Sequence, residues 1–340
     1  MSTAKCPTCD HDSRSILLRG EVYSYHRCPS CGLVFVRPSP TSEELNAFYN
    51  GFLFRKPDSA KIASLKRSYS RMARRILDDA LAHSHKPIRS VLDFGGGIGF
   101  FADAFRDHVD RVTLYEVDPQ AVSYALTMFP GRFDVVNKEV QESTSLEGTY
   151  DLIFANQVIE HFAHLDDFYA KIRTACHPDT IVIIVTPNNK TLEHLVRPDI
   201  FWHYVRAATR LNLFQASFRL VTDSWMCCDP PRHLYAFSDQ SLKESLKKHQ
   251  FELLGATTQY TNQTYYALNL YSDFRFGSLK QAVRSIESVF CQIGLRLMRM
   301  LDIQRSRGSD LIAFARLFRE TADPLSSPDG SSRLMLDSKP

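Results

Sequence analysis

Long hydrophobic runs are absent from this 340-residue sequence. Its apolar runs are short, as in Ile181–Val185, whereas a membrane-spanning helix needs about 18–20 consecutive apolar residues. The opening residues, MSTAKCPTCD, have no apolar stretch behind their single lysine, so we expect no signal peptide. These absences favour a cytoplasmic protein without a transmembrane span, in a reducing compartment where disulfides are rare.

Neither sign of charge dominates, because the sequence has 41 Lys and Arg residues and 38 Asp and Glu residues. The hydrophobic fraction of 44% and the charged fraction of 23% are typical of a globular protein with one large or two modest domains. The balance is uneven, since residues 1–90 carry a net charge of +7 and residues 91–340 carry −4. Eight basic residues and one acid lie in residues 55–75. This segment forms either a solvated helix face or a surface for a polyanion such as nucleic acid.

Four of the eight cysteines form two CxxC steps, Cys6-Pro-Thr-Cys9 and Cys28-Pro-Ser-Cys31, with 18 residues between them. Each step places two thiolates on one side of a tight turn, and two such turns complete a tetrahedral sulfur site for zinc. All four positions are filled by protein, so we predict a structural metal. With the alternating segment 33–36 that follows, residues 1–40 form a predicted zinc ribbon.

A redox motif and a disulfide framework are the alternatives for these cysteines. A redox CxxC normally occurs once, within an α/β pattern, and a reducing compartment disfavours disulfides. The remaining cysteines are scattered, and we interpret them as buried or incidental thiols. They are Cys176, Cys227, Cys228 and Cys291.

Strands and helices alternate from residue 89 onward, after a predicted helical linker or cap at residues 41–88. The predicted strands are Ser90–Phe94, Arg111–Tyr115, Phe133–Asn137, Tyr150–Ala155, Thr180–Val185, Phe251–Thr257 and Ser309–Leu317. The predicted helices are Phe100–Asp107, Pro119–Phe129, Leu165–Ala175 and Ser238–His249. Such alternation predicts an α/β fold with a doubly wound parallel sheet. Its ligand crevice is expected at the carboxyl ends of the first, second and fourth strands.

Two insertions interrupt this alternation, at residues 190–228 and 261–308, and residues 321–340 form a predicted disordered tail. Residues 279–301 carry an apolar stripe at helical spacing with basic residues beside it. The stripe is compatible with core packing, with a homodimer, or with peripheral contact to an anionic membrane.

The first strand ends in VLDFGGGIG, which combines Asp93 with the alternate glycines Gly95, Gly97 and Gly99. Glycine allows a tight turn and lets backbone N–H groups approach a ligand that a Cβ would hold away. The second strand ends in another acid, Glu116, 23 residues after Asp93. A glycine turn beside such an acid is how a Rossmann-like sheet holds a ribose, so the spacing predicts nucleoside binding.

The segments DFGGGIG (93–99), YEVDPQAV (115–122) and YDLIFANQVIEHF (150–162) resemble class I S-adenosylmethionine-dependent methyltransferases. The N-terminal ribbon and the segments CGLVFVRPSPTSEELNAFY (31–49) and PPRHLYAFSD (230–239) are similar to a bacterial branch of that family. This branch tailors sugars, polysaccharides and natural products. The resemblance implies a Rossmann-like seven-stranded methyltransferase sheet over residues 89–320, S-adenosylmethionine as cofactor and a small-molecule or sugar-type acceptor.

The resemblance also implies roles for individual residues. Gly95, Gly97 and Gly99 would let the backbone approach the methionine part of the cofactor, with Asp93 fixing the turn or the amino group. Glu116 would accept both ribose hydroxyls. The remaining cofactor contacts would be Glu139 at the adenine amine and Asn156 and Gln157 at the sulfonium, with a helix cap as the alternative role of Asn156.

Two histidines are candidate general bases. His161 follows the fourth strand, where an imidazole can take a hydroxyl proton and Glu160 can orient the ring. The alternative is that Glu160 and His161 cap and pack the following helix. His233, on a proline-restricted loop, is the second candidate. The sequence Asp229-Pro230-Pro231-Arg232 lies far from the position of an amine-methylating loop, so oxygen or carbon is the expected acceptor atom.

Three other functions stay open at the level of sequence. An RNA methyltransferase would use the ribbon and residues 55–75 to bind nucleic acid. An NAD-dependent dehydrogenase would use the same glycine geometry for a different nucleotide. A non-enzymatic scaffold would carry a degenerate cofactor site, which the intact glycines and Glu116 argue against.

Overall fold

The computed structural model describes residues 4–13, 16–19, 22–49, 57–137, 148–191, 230–259 and 307–318, with the single positions 146, 228, 293, 294 and 297. Across these ranges, no helix has both the length and the apolar character needed to cross a bilayer. Glu139, Cys227, Cys291, the tail at 321–340 and most of both insertions lie outside the described residues. The disordered tail, the homodimer and the membrane contact through residues 279–301 therefore stay predictions.

The N-terminal segment folds into short antiparallel strands that precede two helices. The strands are β1 (Ala4–Lys5), β2 (Asp12–Ser13), β3 (Ile16–Arg19), β4 (Ser24–Arg27) and β5 (Val34–Arg37). They are followed by α1 (Ser42–Tyr49) and α2 (Ile62–His83). Helix α1 begins in a capping box, in which Glu44 N donates to Thr41 Oγ1 and Thr41 N donates to the Glu44 carboxylate.

The alternation predicted from residue 89 is confirmed. It comprises β6 (Ser90–Phe94), α3 (Phe100–Arg106), β7 (Arg111–Tyr115), α4 (Pro119–Met128), β8 (Asp134–Val136), β9 (Tyr150–Asn156), α5 (Leu165–Thr174) and β10 (Cys176–Pro187). It continues with β11 (Tyr235–Ala236), α6 (Asp239–Lys248), β12 (Phe251–Gln259) and β13 (Asp310–Leu317). A 3₁₀ turn at Ile159–His161 follows β9.

Seven strands form the central sheet in the order β12-β13-β10-β9-β6-β7-β8. The pairs from β10 to β8 are parallel, as predicted. The predicted doubly wound parallel sheet differs from the structure at β13, which runs antiparallel to both β10 and β12. A strand buried on both faces has the same apolar composition in either direction, so its sequence does not reveal its orientation.

The sheet is buried on both faces. On β9, Ile153 packs into one core cluster, while Leu152 and Phe154 pack into the other. Helices α5 and α6 cover the first face, and α2 and α3 cover the second. This arrangement explains the continuous apolar runs of the central strands, because alternate side chains of each strand enter opposite cores.

Helix α2 lies against α3 through Tyr69, whose ring stacks on Phe100 at 5.1 Å and meets Phe101 edge-on at 4.7 Å. Its buried side chains are Ala73, Leu77 and Ala80. Its arginines are exposed, at positions 67, 71, 74 and 75. The described part of the basic segment is thus an amphipathic helix with its charge in solvent.

Candidate cofactor and active site

The glycine turn after β6 is built on left-handed backbone. Gly95 has φ of 71° and Gly97 has φ of 57°, values that side chains other than glycine rarely adopt. A Cβ on Gly95 would lie 2.7 Å from Val158, on the segment that follows β9. A Cβ on Gly97 would meet nothing within 4 Å. The turn is therefore packed on the β9 side and open at Gly97, where its backbone can meet a ligand.

Asp93 lies beneath this turn, with 1% of its surface exposed. Burial raises the pKa of its carboxyl to about 7, against the lowering effect of the Ala102 N–H at the start of α3. Its Oδ2 has no hydrogen-bond partner within the described ranges, and a Cβ on Gly96 would lie 2.3 Å from that oxygen. This position suits a role in fixing the turn better than a direct contact with a cofactor.

Glu116 joins the turns after the first two strands of the sheet. Its Oε2 accepts a hydrogen bond from Gly97 N at 2.8 Å, and its Oε1 accepts from Val117 N and Asp118 N at 2.8 and 2.9 Å. Burial raises the pKa of this carboxyl, and the three N–H groups oppose that shift. Each oxygen keeps acceptor capacity, so the carboxylate can meet a pair of hydroxyls beside Gly97.

Asn137, which the sequence analysis did not single out, supports the same corner. Its Nδ2 donates to the carbonyls of Glu116 and Val117 at 2.7 and 3.2 Å. An amide at the end of β8 thereby holds the turn that presents Glu116. Its position two residues before Glu139, the predicted adenine contact, was the signal that the sequence offered for it.

The residues at the end of β9 divide into different roles. Asn156 is the last residue of the strand, and the following 3₁₀ turn has no side-chain cap, so the cap alternative is wrong. Gln157 adopts φ of 57°, and its Nε2 donates to Asp310 Oδ1 at 3.0 Å. In this conformation Gln157 ties β9 to the start of β13, and a sulfonium contact would require it to turn.

Glu160 is fully buried beside the candidate base. Its Oε2 accepts a hydrogen bond from Thr186 Oγ1 at 3.1 Å, while its Oε1 finds no partner in the part of the chain that is described. Burial raises the pKa of this carboxyl to about 8, although the Arg232 guanidinium acts to lower it. Glu160 is therefore a protonated or readily protonated acid at neutral pH.

His161 lies at the centre of a hydrogen-bonded cluster from three parts of the chain. Its Nδ1 is 2.8 Å from Tyr49 Oη on α1 and 3.0 Å from the carbonyl of Arg232. Burial lowers the pKa of the imidazole to about 4, and the charge of Arg232 acts in the same direction. A neutral ring that donates from Nδ1 to the Arg232 carbonyl leaves Nε2 as its basic nitrogen.

His233 is brought to the same place. Its ring meets His161 edge-on, with 4.8 Å between the ring centroids. Leu234 N donates to the Glu160 carbonyl at 2.8 Å, which fixes the chain next to His233 against the 3₁₀ turn. The two predicted histidines therefore lie side by side, although they are 72 residues apart in the sequence.

Ligand atoms of Glu160, His161 and His233 lie within 4.8 Å of one another, so this trio has the spacing of a metal site. The Arg232 guanidinium acts electrostatically on both Glu160 and His161, and a cation there would meet its positive charge. The arrangement suits proton transfer better than metal binding.

The four predicted metal-binding cysteines are clustered. Their sulfurs lie within 4.8 Å of one another, with 3.6 Å between Cys6 and Cys31 and 3.5 Å between Cys9 and Cys28. Tetrahedral zinc with Zn–S bonds of about 2.3 Å needs sulfurs about 3.8 Å apart. Thiol ligands at these separations fit zinc.

A family model described as a methyltransferase domain matches residues 64–255, more than half of the sequence. The chain belongs to this methyltransferase family. This membership confirms the resemblance drawn from the glycine turn, Glu116 and the segment after the fourth strand.

One curated relative shows a distant similarity to this chain. The chain is similar to a probable S-adenosylmethionine-dependent methyltransferase of Mycolicibacterium smegmatis, with 28% identity over 103 residues. That match covers 30% of this chain and 40% of the relative, so the chain spans less than half the length of that protein.

Solved structures show the same kind of distant likeness. One is the 1,6-didemethyltoxoflavin-N1-methyltransferase of Burkholderia thailandensis, with bound 1,6-didemethyltoxoflavin and S-adenosylhomocysteine. It has 15% identity and a TM-score of 0.45, over 90% of this chain and 100% of that chain. Another is a SAM-dependent methyltransferase of Archaeoglobus fulgidus, with 14% identity and a TM-score of 0.42, over 74% and 94% of the two chains.

Sequence reasoning missed three contributors to the cluster around Glu160 and His161, namely Tyr49, Thr186 and the Arg232 carbonyl. Tyr49 lies in the segment 31–49 that supported the family resemblance, and this was its only signal in the sequence. Arg232 lies in the segment PPRHLYAFSD, which supported the same resemblance, whereas Thr186 contacts Glu160 through folding alone, so no local pattern marked it.

Proposed function

We propose that this protein transfers a methyl group from S-adenosylmethionine to an oxygen or carbon atom of a small-molecule or glycan acceptor. The observation that carries the proposal is the contact between the glycine turn, which forms the cofactor half of the proposed site, and the segment that leads to His161, which forms the acceptor half. The glycine turn packs on Val158, and Val158 immediately precedes the 3₁₀ turn with His161. A cofactor at the turn would therefore lie next to a cluster built for proton transfer.

The cofactor half consists of the open backbone at Gly97 and the Glu116 carboxylate. Gly97 would let the methionine part approach, and Glu116 would accept the ribose hydroxyls. Asp93 and Asn137 would hold the two turns in place from behind. When bound, S-adenosylmethionine supplies a sulfonium methyl group that is already electrophilic.

The acceptor half would orient the nucleophile and remove its proton. His161 Nε2 takes the hydroxyl or carbon-bound proton as the nucleophile forms its bond to the methyl carbon and the sulfur–methyl bond breaks. Tyr49 and the Arg232 carbonyl hold the ring through Nδ1. His233, whose ring adjoins that of His161, is the second candidate for the same step.

The cysteine cluster would bind one structural zinc ion. All four ligands come from protein, which leaves no position for an activated water. Its contribution is to the folding of residues 4–37, whose strands are too short to form a stable sheet alone.

RNA is the second candidate acceptor, because Arg67, Arg71, Arg74 and Arg75 are exposed along α2. Membership in the methyltransferase family argues against the dehydrogenase alternative. Binding of an unstructured RNA with a steep salt dependence, reduced by substitution of these arginines with glutamine, would favour the RNA acceptor.

Isothermal titration calorimetry and an acceptor screen test the proposal. We expect binding of S-adenosylhomocysteine but not of NAD, and turnover of methyl-labelled S-adenosylmethionine with a nucleotide sugar, glycan or natural-product hydroxyl. Wild-type protein that binds NAD, or that binds neither NAD nor S-adenosylhomocysteine, would overturn the proposed function.

A further inference from the structure

The cysteine segment and the acceptor side share one β-sheet. Strand β11 (Tyr235–Ala236) pairs antiparallel with β5, in the order β11-β5-β4-β3. Val36 N also donates to the Leu234 carbonyl at 3.1 Å. The edge strand of the cysteine segment is therefore contributed by the chain that directly follows His233.

The same short strand is held from its other side by the 3₁₀ turn at Ile159–His161 and the residues directly after it. Leu234 N donates to the Glu160 carbonyl at 2.8 Å, and Tyr235 Oη donates to the Ala163 carbonyl at 2.8 Å. Residues 234–235 thus connect β5 with the residues around His161. Any shift of this strand would move His233 and the Arg232 carbonyl relative to His161.

Asn189 connects this strand to the second cysteine turn. Its Nδ2 donates to the carbonyls of Gly32 and Ala236, both at 3.0 Å, and its backbone N donates to the Phe237 carbonyl at 2.7 Å. Asn189 lies just beyond β10 and is 6% exposed. One buried amide thereby joins the central sheet, the turn at Cys28–Cys31 and the β11 segment.

The cysteine segment has no separate interior. Leu33 and Phe35 belong to the same core cluster as Tyr235, Phe237 and the strands of the central sheet. The Cys31 carbonyl also accepts a hydrogen bond from Ser238 Oγ at the start of α6. A disturbance at the cysteines therefore reaches β11 through packing as well as through hydrogen bonds.

We propose that Asn189 and the metal-loaded cysteine cluster are positioning elements of the active site, which fix β11 and thereby set His233 and the Arg232 carbonyl against His161. This inference rests on the proposed function for the roles of the two histidines. The cofactor half is held differently, since Glu116 bonds to N–H groups of residues 97, 117 and 118. Disturbing the cysteine cluster should therefore damage the acceptor side and spare the cofactor side.

The test uses Asn189→Asp, which keeps the side-chain shape but replaces the donating amide with an acceptor facing two carbonyl oxygens. The matched control is Gln240→Glu. Gln240 Nε2 donates at 3.3 Å to Ser30 O of the same cysteine turn, but from an exposed position. Both full-length variants are compared with the wild type by hydrogen–deuterium exchange mass spectrometry, zinc content and S-adenosylhomocysteine affinity.

We expect at least a tenfold increase in exchange rate over residues 234–237 in Asn189→Asp, with affinity for S-adenosylhomocysteine within twofold of the wild type. Gln240→Glu should match the wild type in the exchange rate over residues 234–237 and in the affinity for S-adenosylhomocysteine. With an acceptor in hand, Asn189→Asp should lower kcat at least tenfold with an unchanged KM for S-adenosylmethionine, and should displace the acidic limb of the pH–rate profile.

Removal of zinc from the wild type with a chelator provides a measurement that does not depend on any variant folding. The same exchange increase at residues 234–237, without one at residues 91–94 of β6, supports the inference. Unchanged exchange at 234–237 would overturn it, and so would an equal rise in β6 with loss of S-adenosylhomocysteine binding. Failure of the untreated wild type to bind S-adenosylhomocysteine would overturn the proposed function instead. The exchange rates at residues 234–237 would still show whether the cysteine cluster fixes β11.

Discussion

Tyr49 and His161 are hydrogen-bonded at 2.8 Å between Oη and Nδ1, although 112 residues separate them. Their rings also meet edge-on, with centroids 5.9 Å apart. Tyr49 lies at the end of α1, outside the α/β sheet. The helical segment before the sheet therefore supplies a hydrogen-bond partner for the candidate base, and this contact makes α1 part of the proposed active site.

Tyr49→Phe should separate these two contacts, because it keeps the ring and removes the hydroxyl. Loss of a neutral hydrogen bond of about 0.5–1.5 kcal/mol predicts a decrease in kcat of roughly 2- to 13-fold. The affinity for S-adenosylhomocysteine should not change, because the Tyr49 hydroxyl bonds to His161 and the Arg232 carbonyl, whereas the glycine turn is held by Glu116. Steady-state kinetics and calorimetry on the same preparation check this, and a matching loss of cofactor affinity would contradict it.

His161→Ala should lower kcat by roughly 10²- to 10⁴-fold, the range for loss of a general base. Cofactor affinity should persist, since Glu116 and Gly97 are untouched. His164→Ala is the control, because His164 is exposed three residues further along. Single-turnover methyl transfer is the measurement. Near-normal turnover in His161→Ala would assign the base to His233, for which His233→Ala is the corresponding variant.

The pH dependence of turnover should follow the lowered pKa of His161. Because burial holds that pKa at about 4, the ring stays neutral and able to accept a proton well below its ordinary value of 6.5. We expect kcat to decline only as the pH falls towards about 4. An acidic limb centred near 6.5 would show that the essential base lies in a more exposed place.

Glu160 should make the stability of the folded protein depend on pH, with a loss of stability as the pH rises. Its folded-state pKa of about 8 exceeds its ordinary value of 4.5, so the folded chain binds the proton more tightly than the unfolded chain does. Its contribution is complete below about pH 4.5 and is lost as the pH rises through about 8. Thermal unfolding midpoints of Glu160→Gln should fall less than those of the wild type between pH 5 and 9, and parallel curves would refute this.

Glu116→Ala should weaken S-adenosylhomocysteine binding by roughly 10- to 150-fold, from the loss of charged hydrogen bonds of about 1.5–3 kcal/mol. Asp134→Ala is the control, since Asp134 is an exposed acid at the beginning of β8. Calorimetry measures both variants. Equal affinities for the two would remove Glu116 from the cofactor site.

The alternation of strands and helices was predictable because apolar periodicity is a local property of the sequence. The direction of β13 was not, since both of its faces are buried and its pairing depends on strands far away in the chain. Glu139 and most of both insertions lie outside the described residues, so the predictions placed there stand as they were.

The proposed cofactor half of the site was readable from short motifs. Asp93 and the glycines mark the end of β6, Glu116 marks the end of β7, and the parallel pairing of these two strands brings the two motifs together. The role of Gln157 was less predictable, because its side chain is directed by Asp310, a partner 153 residues away.

The sequence by itself determined the alternation of strands and helices, the glycine turn and each of the two CxxC steps, because each is marked by residues within a few positions of one another. Only the tertiary structure decided the proposed acceptor side. There, Tyr49, the 3₁₀ turn with Glu160 and His161, and the chain around His233 come from three separate segments, and they meet because β11 is held between the cysteine segment and that turn. Contacts across such distances depend on how whole elements pack, which no local pattern of residues records.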